Sequence, residues 1–585
     1  MPEGDSRPLS SHVRGGALWS MASTMLLRIA NILLTAIVAH ILDPRDFGVF
    51  AVALTAYAIV SSLGEFGVSS CLIRADLDID SLAPTFVSIS IGTSVVLAGV
   101  MAVFARPIAS ALGSAAGAGP VRVMSLAVIM GGLFAVPNAQ LVRDFKQKKL
   151  FLANAISFVP STAVLVLLAK FGGGPMAFAW SRVVGQFIVG CVLFMSVSKN
   201  YRPGVARAAL SLLFTFGLPL AGANFVNYIL LNVDYALIGH LMGAVALGTY
   251  VLAFNVASWP SSLLGTMINN VTMPAFSRVR HDAELLRTAI ASSLRAVSLV
   301  VLPMCAMTIA LARPLVLTLY GAKWAASASV LSVLSLYGAV SIACLLFGNI
   351  LSGMGRTKFL LIIQIVWLGA LAPAMALGVH RDGIVGAAFA HIAVLGPIVL
   401  PSYLYTLKKA TGVSITALAK AILPALLASF AAALAAKGAA GQFSNSLVQL
   451  IAGMAAGGLV YLVGTAPLLV ELLNRGKAAK VGAGRILGIY NSAARWIGLP
   501  VDSRPRHAAG GSRRPALPGR GDARDFGGWE RGFGPMAADS AADSAQSAAA
   551  ALALLLSLAR PEPGTPLIAM QTTAHVGEPL ERRGM

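Results

Sequence analysis

The sequence predicts an all-α polytopic membrane protein of about 14 transmembrane helices: two six-helix lobes related by a parallel repeat, plus two C-terminal helices. Three observations carry this. Of 585 residues, 57% are hydrophobic and only 11% charged, far from the balance of a soluble globular chain. Apolar runs recur from residue 17 to about 470, each long enough to cross a hydrocarbon core about 30 Å thick. They lack a strand's polar alternation, and a backbone in lipid must satisfy its own hydrogen bonds, so they span as helices. Finally, a polar hinge recurs. His40-Ile41-Leu42-Asp43-Pro44-Arg45-Asp46-Phe47-Gly48-Val49-Phe50 returns as His240-Leu241-Met242-Gly243-Ala244-Val245-Ala246-Leu247-Gly248-Thr249-Tyr250. His40 falls on His240, Leu42 on Met242, Gly48 on Gly248 and Phe50 on Tyr250, the mark of two related halves.

In chain order, 1–16 is a cytoplasmic N-terminus. The first lobe, 17–196, holds helices at 17–41, 47–72, 84–105, 118–141, 150–169 and 176–196. Arg28 inside a first stretch of this length argues for a retained span, not a cleavable signal peptide. A cytoplasmic connector, 197–209, leads to the second lobe, 210–406, with helices at 210–232, 246–272, 290–312, 328–352, 359–379 and 384–406. The far end of the repeat pairs Ala177-Phe178-Ala179-Trp180 with Ala388-Phe389-Ala390-His391. Six helices per lobe is an even number, so the halves share one orientation about an axis along the membrane normal, with room for a cavity between them. Helices 13 and 14, within 415–470, stand outside the repeat. Over 471–498, Ile486, Leu487, Ile489, Tyr490 and Trp496 sit beside Arg485 and Arg495, as in an interfacial amphipathic helix. The remainder, 499–585, is rich in Pro, Gly, Ala and Arg without periodicity and reads as a disordered cytoplasmic tail.

The net charge of +21 does not point to nucleic acid, because the basic residues gather in alternate short loops as the positive-inside bias requires. Arg143/Lys146/Lys148/Lys149, Lys199/Arg202/Arg207, Arg278/Arg280/Arg287, Arg356/Lys358 and Lys408/Lys409 mark cytoplasmic loops; the opposite loops hold mostly isolated charges. Both termini are expected in the cytoplasm and both hinges outside. Cys71, Cys191, Cys305 and Cys344 stand singly and read as small buried hydrophobes, with no metal-ligand spacing.

Ionisable groups inside spans cost about 2.5–3.5 kcal/mol each on insertion scales, which makes them functional candidates. Arg28 lies mid-span in the first helix and Arg182 about two turns into the sixth; Glu65 lies late in the second and Asp234 closes the seventh. Arg122 and Arg295 read as interface anchors. Under the repeat, Arg28 falls on Tyr228 and Arg182 on Ala393, so the two arginines are not demanded by the scaffold. Two unmatched cations make a surface for an anion, and the planar guanidinium suits phosphate. Tyr228, with Tyr235 and Trp180, offers faces for sugar rings or lipid. Glu65 and Asp234 are candidates for coupling H+ or Na+; no other cofactor and no metal is expected. No G-x-x-x-x-G-K-[ST] motor loop, HExxH or nucleophile elbow occurs, so enzymatic chemistry is not expected.

The mid-span Arg of the first helix, Leu42-Asp43-Pro44-Arg45-Asp46-Phe47-Gly48, Gly64-Glu65-Phe66-Gly67, Asn232-Val233-Asp234-Tyr235, Leu247-Gly248-Thr249-Tyr250 and Ser352-Gly353-Met354-Gly355-Arg356-Thr357-Lys358, in this order, resemble the polysaccharide-transport flippases. These belong to the multidrug/oligosaccharidyl-lipid/polysaccharide exporter superfamily, and the likeness covers about residues 15–470. The resemblance implies a two-lobed bundle in the cell inner membrane. Such a protein moves undecaprenyl-diphosphate-linked oligosaccharide across it for exopolysaccharide or lipopolysaccharide biosynthesis, through a cationic cavity. It also implies the pathway's polymerase and chain-length regulator as partners. The competing readings are a cation-coupled multidrug antiporter, which calls for an acidic cavity, and a non-transporting scaffold, which makes the intramembrane charges dispensable.

Overall fold

A computed structural model of the chain describes residues 30–64, 79–144, 146–197, 199–205, 218–262 and 282–475, with a few single positions between them. The chain divides into two compact units, 1–465 and 466–585, and of the second only 466–475 are described. No strand occurs among the described residues. The helices are α1 (Ala30–Ile41), α2 (Pro44–Gly64), α3 (Ile79–Val103), α4 (Ala105–Ala111), α5 (Ala118–Arg143), α6 (Gln147–Lys170), α7 (Pro175–Ser196), α8 (Leu218–Ala257), α9 (Ala283–Ala310), α10 (Ala312–Tyr320), α11 (Ser327–Gly353), α12 (Thr357–Val394), α13 (Leu400–Thr411), α14 (Ile415–Ala440) and α15 (Ser446–Arg475). Among the described residues, eleven helices are long and apolar enough to cross a membrane.

That number departs from the expected fourteen at three places. The first helix is described only from Ala30 to Ile41. The other two are continuous helical runs that double back. In α8, Gly243 adopts φ 78° and ψ −177°. Asp234 and Tyr250, sixteen residues apart, touch across this point, whereas a straight helix would hold them about 24 Å apart. In α12, Gly383 adopts φ 58°, and Gly378 and Gly386 pack so closely that a Cβ on either would overlap the other's carbonyl oxygen. Both runs are therefore helical hairpins with a glycine at the bend, where its freedom at positive φ is needed. The expected end of the seventh helix at 232 is corrected: the helix runs on through Asp234 to Gly243. An acidic residue reads as a helix end in lipid unless it has a buried partner, and Asp234 has one.

At the first hinge, Pro44 opens α2 and the Asp46 carboxylate accepts from the Asp43 amide at 3.3 Å, in the manner of a capping box. The two hinges pack on one another. A Cβ on Gly48 would overlap the Ala244 carbonyl oxygen, and a Cβ on Gly248 would overlap that of Pro44. Under the repeat Gly48 corresponds to Gly248 and Pro44 to Ala244, so the contact is reciprocal.

A second reciprocal contact surrounds the first. Phe104-Ala105-Arg106-Pro107 recurs as Leu311-Ala312-Arg313-Pro314. Each opens a short helix, α4 or α10, that ends near a positive-φ glycine, Gly113 or Gly321. The α4 corner docks on the end of the first limb of α8: Gly113 and Leu112 meet the Gly239 backbone, and His240 Nδ1 donates to the Ala111 carbonyl at 2.9 Å. The α10 corner docks on the end of α1. Trp324 Nε1 donates to the Ala39 carbonyl at 3.0 Å, and Lys323 Nζ reaches the His40 carbonyl and Asp43 Oδ1, each at 3.1 Å. These contacts close the hinge end of the bundle.

Residues 199–205 are strapped along the start of α3. The Gly204 amide donates to the Pro84 carbonyl and to Ser88 Oγ, and Ser88 Oγ donates to the Gly204 carbonyl at 2.8 Å. Tyr201 Oη donates to Asp80, and Lys199 pairs with the same carboxylate at 3.0 Å. In the C-terminal pair, α14 lies along α9. Gly453 and Gly457 of α15 admit Leu311 and Met307, and Tyr461 Oη donates to the Leu299 carbonyl at 2.6 Å.

Candidate functional site

Of the residues singled out by sequence, Arg28 and Glu65 lie outside the described residues. The other three fall on α7 and α8. Arg182 is exposed along a helix of membrane-spanning length. Its neighbours explain which way it faces. Phe178, Arg182 and Gln186, spaced four apart, form one stripe on α7, and this stripe lies along α2. Phe178 stacks on Phe50 at 4.7 Å and meets the edge of Phe47 at 4.9 Å; Phe47 in turn meets Trp324 of the second half at 4.8 Å. One turn further from the hinge, the Arg182 guanidinium lies over the Tyr57 ring, 5.7 Å from its centroid. Tyr57 Oη donates to Gln186 Oε1 at 3.3 Å. Arg182 therefore sits behind an aromatic plug at the closed hinge end. Among the described residues no carboxylate pairs with it. The ring holds the guanidinium on one side, and its N–H groups can still donate to an acceptor.

Tyr228 is half-buried on the first limb of α8, where its carbonyl accepts from Asn232 Nδ2 at 2.8 Å. Two turns on, Asp234 is only 2% exposed. Its Oδ1 accepts from the Tyr235 amide at 2.9 Å, and its Oδ2 lies 3.3 Å from Tyr250 Oη on the returning limb. Tyr250 Oη lies 3.0 Å from His391 Nε2, and His391 Nε2 is 3.9 Å from Asp234 Oδ2. His391, also buried, comes from the second limb of α12, one turn before a π-helical turn at Leu395–Val399. The extra residue of a π turn commonly marks a functional position. Tyr337 of α11 covers His391 ring to ring at 4.7 Å. Sequence reasoning had placed Asp234 among the candidates but had used His391 only as a marker of the repeat. The available signal was an imidazole in an otherwise apolar run.

The structure thus separates two kinds of intramembrane charge: an exposed cation in the first half and a buried acid–phenol–imidazole group in the second. Among the described residues no cluster of three or more His, Cys, Asp or Glu side chains forms a metal site.

The chain has relatives of known role. It is 27% identical over 461 residues to the succinoglycan biosynthesis transport protein ExoT of Rhizobium meliloti (strain 1021), covering 76% of this chain and 91% of that protein. Over 407 residues it is 24% identical to the lipopolysaccharide biosynthesis protein WzxC of Escherichia coli (strain K12), covering 68% and 82%. Its fold is that of the lipid II flippase MurJ in an inward closed conformation: TM-score 0.64 at 16% identity, over 78% of this chain and 99% of that one. An inward-facing multidrug transporter of the MATE family follows at a TM-score of 0.52 and 16% identity, over 67% and 94%. A family described as polysaccharide biosynthesis protein matches residues 37–329, from the first hinge to the start of α11 and so through Arg182, Tyr228, Asp234 and Tyr250, and this multi-pass membrane chain belongs to it.

Proposed function

We propose that the chain is a flippase that moves undecaprenyl-diphosphate-linked oligosaccharide across the inner membrane by alternating access. The observation that carries the reading is Arg182, an exposed cation on a span-length helix, free of carboxylates among the described residues and set behind a closed end of the bundle. A cation in that position costs about 2.5–3.5 kcal/mol on insertion scales, and an anionic ligand offsets that cost. Arg182 and Arg28 hold the diphosphate, the sugar occupies the space between the halves beside Tyr228, and the lipid tail stays in the bilayer. With both termini cytoplasmic, the hinge end faces outward and its closure leaves the site open to loading from the cytoplasm. Asp234 and Glu65 are the candidates for the coupled H+ or Na+. The polymerase and chain-length regulator of the same pathway receive the product. Drug antiport calls for an acidic binding surface, and the charge found behind the hinge end is basic.

The test is reconstitution of the full chain in proteoliposomes with a defined undecaprenyl-diphosphate oligosaccharide, following its exposure in the second leaflet. Arg182→Ala is expected to lower the initial rate by tenfold or more at equal protein level. Unchanged flipping in the Arg28→Ala and Arg182→Ala proteins overturns the assignment of the site.

A further inference from the structure

The cluster of Asp234, Tyr250 and His391 buries a carboxylate beside groups that carry no positive charge while the imidazole is neutral. Asp234 Oδ2, Tyr250 Oη and His391 Nε2 form a triangle with sides of 3.3, 3.0 and 3.9 Å. With the neutral imidazole carrying its hydrogen on Nε2, Nε2–H donates to Oη and Oη–H donates to Oδ2, and the group holds a net charge of −1 away from water. One proton taken from hydronium, which leaves water behind, adds to the free Nδ1 lone pair and makes an imidazolium. The group passes from a net charge of −1 to zero, and a buried site in lipid is better satisfied without net charge.

We propose that Asp234, Tyr250 and His391 form a proton-binding site, and that a proton held there keeps the α8 hairpin closed on the hinge-end seal. The inference rests on the alternating-access reading above. Two further observations support it. His391 Nδ1 is buried without a partner, and Tyr337, which covers the imidazole, also lines a cavity of about 140 Å³ with Ser258, Ser261 and Ser341. Its three serine hydroxyls, set among Phe254, Ala257 and Leu334, make room for water on the far side of Tyr337 from the imidazole. The cluster also straddles the bend at Gly243. Asp234 lies on the outgoing limb. Tyr250 lies on the returning limb, with Ala244 and Gly248, whose backbones interlock with Gly48 and Pro44. Holding Tyr250 against Asp234 holds the returning limb, and through it the seal.

The ligand is a proton and not a hard cation. Asp234 Oδ1 already accepts from the Tyr235 amide, Oδ2 faces a hydroxyl, and the third group offers nitrogen, whereas hard cations collect a shell of oxygens. The other titratable groups facing the cluster are Tyr235 on α8 and Tyr337 on α11, with Cys344 beyond Tyr337. None of these supplies a second carboxylate.

The test reads conformation and needs no substrate. Spin labels at Arg45→Cys and Val245→Cys, both exposed positions flanking the interlock, report the seal in the full chain, with the native cysteines replaced and the protein in nanodiscs. From mildly alkaline to mildly acidic pH the short-distance population is expected to rise, by up to about tenfold per pH unit, the limit for one coupled proton. Replacing sodium by choline leaves it unchanged. His391→Gln, which keeps hydrogen-bonding capacity without titrating, removes the pH response. The proposal is overturned by a pH-independent distance in the parent protein, by a sodium-dependent one at fixed pH, or by a parent-like pH response in His391→Gln. The first two need no variant to fold. An intact pH response with no flipping of the defined oligosaccharide overturns the substrate reading and leaves this site standing.

Discussion

At the scale of the residue, the chemistry of Arg182 is set by its neighbours. The cation–π contact with Tyr57 contributes about 0.5–1 kcal/mol at an exposed site and anchors a guanidinium whose planar fork suits phosphate. Lysine keeps the charge and loses the fork. Arg182→Lys is therefore expected to flip lipid-linked oligosaccharide several-fold more slowly than the parent, yet faster than Arg182→Ala. Tyr57→Phe, which keeps the ring, changes the initial rate less than Tyr57→Leu. Equal rates in the two Tyr57 variants would remove the ring from the argument. A second residue-level prediction concerns Asp80. The Tyr201 hydroxyl and then the Lys199 ammonium hold its carboxyl below the ordinary carboxylate value. The sign follows from linkage: a depressed pKa gives stability that is present above the unfolded value and lost as pH falls through the folded one. The strap at 199–205 is thus expected to stay protected from proteolysis at neutral pH and to loosen only in acid below the usual carboxylate range. In Tyr201→Phe that loosening begins at higher pH. A strap that loosens near neutrality contradicts this.

At the scale of the element, the glycines at the hinges separate scaffold from seal. At Gly48 and Gly248 a methyl group meets backbone of the opposite hinge, which cannot rotate away as a flexible side chain does. Gly48→Ala and Gly248→Ala are expected to lower the closed population reported by labels at 45 and 245, with the fold retained. Gly92→Ala and Gly99→Ala are the controls: nothing lies within 4 Å of either added carbon, and alanine favours a helix interior by up to about 1 kcal/mol. They should leave the closed population unchanged. The same elements show what the sequence made legible. Long apolar runs and the recurrence of 40–50 at 240–250 sufficed for the helices and for the relation between the halves, because lipid leaves a chain few alternatives. The limb from 233 to 242 was missed because an acid ends a span when judged alone, and its partners, Tyr250 and His391, lie on other limbs of the fold. The corners at 105–117 and 312–324 were missed because short helices carry little periodicity, although their shared Ala-Arg-Pro was in plain view. His391 served only as a marker of the repeat for the same reason that Asp234 was read as an end: a buried polar group declares itself only with its partners.

At the scale of the molecule, the closed end is built from two corners that are related but not equal. Each docks on the helix end of the opposite half, yet the first meets it through glycine backbone and His240, the second through Trp324. At the offset of the Ala-Arg-Pro match, Trp324 falls on Gly117, so the indole is an addition to the second half and not a feature of the scaffold. It is fully buried, meets Phe47 edge-on at 4.8 Å and donates to the Ala39 carbonyl. A large aromatic removed from a packed site costs about 3–5 kcal/mol. Because this one is buried between the halves, most of that loss falls on the closed state and not on the folding of either half. Lys323, beside it, makes an exposed ion pair with Asp43, worth about 0–1 kcal/mol. Trp324→Ala is thus expected to shift the label distance at 45 and 245 toward the open form by at least tenfold in population, Trp324→Phe by less, and Lys323→Ala hardly at all. If the indole serves only the fold of the second half, Trp324→Ala instead lowers the melting temperature and leaves the distance distribution of the surviving protein unchanged.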